Sequence, residues 1–124
     1  MQPFTVLLAV DHWAVEKPAS QLGWDRLIKN NVDPDAKVEF CEPSKVLEAA
    51  SKSIETLDAV IIERDDNALP GSCTHLFDQI PNLAVVVVSR NENCPPLYYR
   101  QAVCVEELED SGDAILAVLR CLRK

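Results

Sequence analysis

Three groups of residues in this sequence have types and spacings that could do chemistry. The first is a set of polar groups at the ends of apolar runs. Asp11 and His12 follow Phe4 to Val10, Glu63 follows Ala59 to Ile62 with Asp65 and Asp66 close behind, and Ser89 follows Leu83 to Val88. Carboxylates and a hydroxyl gathered where buried strands end can hold a metal, accept a group or bind an anion. The second group is Cys94 and Arg100, a cysteine and an arginine separated by five residues. In that spacing a thiolate can attack phosphorus while backbone amides and the guanidinium hold the oxygens. The third is Cys73 with His75, a thiol and an imidazole two positions apart.

The second and third groups are weak. Pro95 and Pro96 remove two of the amides a phosphate cradle needs, no glycine is present, and Tyr98 and Tyr99 crowd the segment. Residues two apart on a helix do not face each other, so Cys73 and His75 read as a core thiol and a surface imidazole. Tyr98 and Tyr99 beside the prolines form instead a candidate interaction face. The five cysteines are odd in number and contain no C-x-x-C pair, so neither a disulfide framework nor a zinc site is signalled.

Composition narrows the function classes. The 124 residues fit one domain spanning 1–124, 48% hydrophobic and 26% charged, with no apolar run near the roughly 20 residues of a membrane helix. Twelve basic against twenty acidic residues leave a net charge of −8, which repels nucleic acid and anionic membrane. Another protein is the expected partner, and a homodimer is a further arrangement this allows. The N-terminal run lacks a basic leader and meets an aspartate where a cleavage site would be needed, so it reads as a first strand of a cytoplasmic protein.

The elements that must position these groups follow from periodicity. Phe4 to Val10 is a strand. Trp24, Leu27 and Ile28 mark a helix from near Ser20 to Asn30-Asn31, and Lys37 to Cys41 is a strand nearer an edge. Ser44 is expected to cap a second helix carrying Val46, Leu47, Ala50, Ile54 and Leu57, after which Asp58 leads into the strand Ala59 to Ile62. Leu76, Phe77 and Ile80 stripe a short helix ended by Pro81, and the valines of Leu83 to Val88 form a buried strand. Residues 90–101, rich in asparagine and proline, are expected to be loop or a single turn. Ala102 to Val105 is a fifth strand, and a last helix opening at Asp110 or Ser111 turns Ile115, Leu116, Val118, Leu119 and Leu122 inward. Five strands alternating with four helices predict an α/β doubly wound, five-stranded parallel sheet of flavodoxin-like order 2-1-3-4-5, its fourth helix short or missing. The switch point then falls between the first and third strands, where Asp11, His12 and Glu63 meet.

With its elements in that order, the whole chain resembles the receiver domain of bacterial response regulators. The resemblance rests on Leu7-Leu8-Ala9-Val10-Asp11-His12, on Asp58-Ala-Val-Ile-Ile-Glu63 and on Val85 to Val88 followed by Ser89. The family has an acidic pair after its first strand, a phosphate-accepting aspartate after the third, a hydroxyl after the fourth and a lysine after the fifth. Here His12 replaces the second acid, Glu63 stands at the acceptor position, and no lysine occurs between Lys52 and Lys124, Glu106 falling where that cation would be. Phosphoryl transfer to a carboxylate needs a divalent ion held by oxygens and a cation to neutralise developing charge, and an imidazole suits Mg²⁺ poorly.

The resemblance therefore implies a pseudo-receiver of two-component signalling, non-catalytic and independent of phosphorylation, with Asp11, His12, Glu63 and Ser89 as a degenerate site and no metal. Two alternatives stay open: an active receiver phosphorylated on an acidic residue near 63–66, and a cysteine-dependent phosphatase-like enzyme using Cys94 and Arg100. No cofactor is expected. Flavin would need a Gly/Ser/Thr phosphate loop after the first strand, and residues 11–17 contain neither glycine nor hydroxyl.

Overall fold

In a computed structural model, which describes residues 4–9, 21–52, 56–64, 71–89, 95–100, 103–108 and 112–123, the apolar runs build one six-stranded sheet. Its strands are β1 (Thr5–Ala9), β2 (Lys37–Phe40), β3 (Leu57–Arg64), β4 (Ala84–Ser89), β5 (Leu97–Arg100) and β6 (Val103–Glu107), in the order β2-β1-β3-β4-β5-β6. The pairs of β1 with β2, β1 with β3 and β3 with β4 are parallel. The pairs of β4 with β5 and β5 with β6 are antiparallel.

The sheet is therefore mixed and six-stranded, which corrects the five-stranded parallel doubly wound sheet expected from the sequence. The physical reason lies after β4. Only residues 90–96 separate Ser89 from Leu97, too few for a parallel crossover, which takes a dozen or more residues. The chain turns back instead, and Leu97-Tyr98-Tyr99-Arg100, rich in strand-favouring aromatics, pairs antiparallel to β4 over Ala84 to Val87. Pro95 and Pro96 lie just before the start of the strand and cost it no ladder bond, and residues 90–94 lie outside the described residues. What looked like one connection from 90 to 101 thus contains a strand, and the expected fifth strand is the sixth, at the sheet edge.

Four helices are found among the described residues: α1 (Gln21–Asn31), α2 (Val46–Ser51), α3 (Gly71–Gln79) and α4 (Gly112–Arg123). They cover both faces. One core layer joins Val6, Leu8, Ile61, Val86 and Val88 to Ile28 of α1 and to Ile115 and Leu119 of α4. The other joins Leu7, Val60, Ile62, Val85 and Val87 to Val46 and Ala50 of α2 and to Cys73, Leu76 and Phe77 of α3. β1, β3 and β4 are apolar on both faces because helices cover both, the strand pattern that parallel pairing demands. Each fully buried valine of β4 contributes on the order of 1.5–3 kcal/mol relative to its exposed state.

Two local features depart from the sequence reading. The second helix is short: Pro43–Lys45 is a 3-10 turn, α2 covers only Val46–Ser51, and neither helical start has a side-chain cap, so Ser44 is not the expected cap. Leu47 is exposed, Leu57 belongs to β3 and Ile54 lies outside the described residues, so of the expected apolar stripe only Val46 and Ala50 are seen buried on this helix. At the start of β3 the register with β1 steps from Thr5↔Leu57 to Val6↔Ala59, leaving Asp58 as an extra residue. The Asp58 carboxylate accepts the backbone N–H of Thr5 at 2.8 Å. A bulge of this kind disrupts the ladder locally, and the aspartate satisfies the amide it orphans.

Candidate functional site

β1 runs into a helix on one face and β3 into a helix on the other, so the switch point lies beyond their carboxyl ends. There the ladder pairs Ala9 with Ile62, Ile62 with Val87, Glu63 with Val88 and Arg64 with Ser89. Glu63 and Ser89 thus both stand at this end of the sheet, one ladder position apart. Asp11, His12, Asp65 and Asp66 lie outside the described residues.

Glu63 is not at a strand terminus open to solvent. β3 continues through Arg64, and Glu63 is only 1% exposed, the one buried charged residue among those described. Strand alternation puts it on the same face as Ile61 and Val88, the face covered by α1 and α4. A carboxylate placed so deep is held by partners, and Glu63 does make a polar or electrostatic contact. Among the described residues, no group of three or more His, Cys, Asp and Glu is placed to hold a metal ion. Asp58, which leads the run Asp58 to Glu63, lies at the opposite end of β3 and serves the bulge.

The other candidates are separated by the fold. Arg100 lies in β5 opposite Ala84, at the amino end of β4, and its Nη1 donates to the Tyr98 hydroxyl at 3.0 Å. From Leu97 onward the segment is extended at roughly 3.3 Å per residue, which is not a loop wrapped around an anion. Cys94 lies outside the described residues. Cys73 is buried in the core while His75 is exposed, so the two do not meet. Tyr98 and Tyr99 are both half-buried but pack on opposite faces of the sheet, so they do not form one patch.

Sequence reasoning missed a hollow of about 510 Å³ between the β5–β6 hairpin and α4, lined by residues that include Tyr98, Glu106, Leu108, Ala114, Ala117 and Cys121. The strand-favouring run Leu97 to Arg100 was the signal for β5, and with it for the hairpin that forms one wall. No described helix is long and apolar enough to cross a membrane. Comparison of the chain with protein-family models, curated proteins and solved structures returns no match.

Proposed function

We propose that the protein is a non-catalytic, protein-binding regulatory module of the cytoplasm that works without phosphorylation. The observation that carries this reading is the burial of Glu63. An acceptor carboxylate must meet a phosphodonor in line, with room for three equatorial oxygens and a metal ion. Glu63 lies instead within β3 at 1% exposure on a helix-covered face. Its carboxyl group is then an enclosed part of the resting structure and not a reaction centre. The receiver resemblance supplies the signalling context, and the antiparallel hairpin that replaces its last crossover leaves the partner-facing side of this molecule with a shape of its own.

Incubation with acetyl phosphate and Mg²⁺, followed by intact mass measurement, tests the reading. The expected mass is unchanged. A stable gain of one phosphoryl group overturns the proposal and makes the protein a phosphorylatable switch.

A further inference from the structure

We propose that the outer edge of β6 receives an extended, basic segment of a partner protein, paired backbone to backbone, with one lysine or arginine of that segment seated in the hollow beside α4. This rests on the protein-binding reading above and names the chemistry of the partner. β6 is the last strand of the sheet, and among the described residues nothing pairs with its outer side. All five of its residues are exposed, Val103 at 63% and Val105 at 57%. Natural edges are usually blunted by charge, as β2 at the opposite edge is by the Lys37–Glu39 ion pair at 3.6 Å. The first three residues of β6, Val103-Cys104-Val105, carry no charge at all. A strand with free backbone groups and apolar side chains is a template for one more strand.

The hollow decides what that strand carries. Ala114, Ala117, Val118 and Leu108 present apolar wall, against which the methylene stem of a long basic side chain can lie. Tyr98 offers a ring, and Glu106, opposite Tyr98 in the ladder and so on the same face of the sheet, offers a carboxylate for the cationic head.

A second copy of the chain fits this edge poorly. Pairing β6 with itself gathers two Glu106-Glu107 pairs into one ladder between molecules of net charge −8. The register shift opposite Tyr98 and Tyr99 also leaves Val105 as an extra residue, which kinks the edge and leaves short runs on either side, suited to a short segment.

The test is fluorescence anisotropy of the full chain with a labelled, capped heptapeptide of alternating valine and lysine, at low and high salt. The expected result is binding that weakens at high salt, by at least tenfold in the double variant E106Q/E107Q, and by a similar factor in Ala117→Phe, which fills the hollow. The same peptide with glutamate for lysine, or with proline for its central valines, is expected not to bind. Glu106, Glu107 and Ala117 are all exposed, and circular dichroism checks that the variants fold. The two control peptides need only the unaltered protein, so a variant that misfolds does not remove the test.

Absence of binding by the unaltered protein, equal binding of the proline peptide, or unchanged affinity in folded variants overturns the proposal. So does a concentration-dependent dimer that Val103→Lys dissolves. Failure here with no mass gain from acetyl phosphate removes this partner assignment alone, whereas a phosphoryl gain overturns the module reading whatever the peptide does.

Discussion

Glu63 places a carboxyl group where 1% of it is exposed, beside Val88 on a helix-covered face, and such burial is stable only when partners offset the lost hydration. Truncation to alanine leaves those partners buried without it. Glu63→Ala is therefore expected to cost about 1–3 kcal/mol, and Glu63→Gln, which keeps the shape and some hydrogen bonding, less than that. Urea unfolding midpoints compare the three proteins, and an alanine variant as stable as the parent would mean the contacts of Glu63 contribute nothing net. Cys41 shows the electrostatics of the β2 edge. Burial first, then the charges of Glu39 and Glu42, push its thiol up from 9.0 to about 11. Above pH 9 the unfolded chain releases this proton before the folded one does, so stability present below pH 9 is lost as the pH rises to about 11. Cys41→Ala lacks this dependence. Across that window the parent is expected to lose stability relative to the variant, read as a converging or inverting difference in unfolding midpoint.

The elements show how local chemistry and tertiary context divide the work. Strands with continuous apolar runs, β1 and β4, and helices with an unbroken stripe, α3 and α4, were legible because helix-covered strands and amphipathic helices leave unmistakable periods. α2 was over-extended because Leu57 continued the period on paper but is drawn into the ladder beside Thr5. Asp58 makes that entry possible by accepting the Thr5 amide. Asp58→Ala is expected to cost about 1 kcal/mol and to speed hydrogen exchange at the Thr5 amide, measured by NMR, while exchange at β4 amides speeds up only as far as the loss of global stability dictates. Unchanged exchange at Thr5 would show that the bulge closes without the carboxylate. β5 was missed because prolines and asparagines just before it hid a run of only four residues, Leu97 to Arg100.

At the scale of the whole molecule, the parallel half of the sheet, β2-β1-β3-β4, places a switch point between β1 and β3 as the chain order implies, and the antiparallel half, β4-β5-β6, gives the molecule its open edge and hollow. The two halves suit different roles. The first buries its strand-end carboxylate under helices, and the second exposes apolar backbone edge beside two glutamates. The sequence by itself determined that strands and helices alternate as far as β4, that β1, β3 and β4 are covered on both faces, and that Glu63 stands near the carboxyl end of β3, because side-chain period and apolar runs are written locally. Only the tertiary structure decided that the sheet is mixed, that Asp58 serves a bulge, that Glu63 is enclosed and that β6 is exposed. Strand direction, depth and edge position depend on which distant segments pair and how much chain connects them, and no local pattern records that.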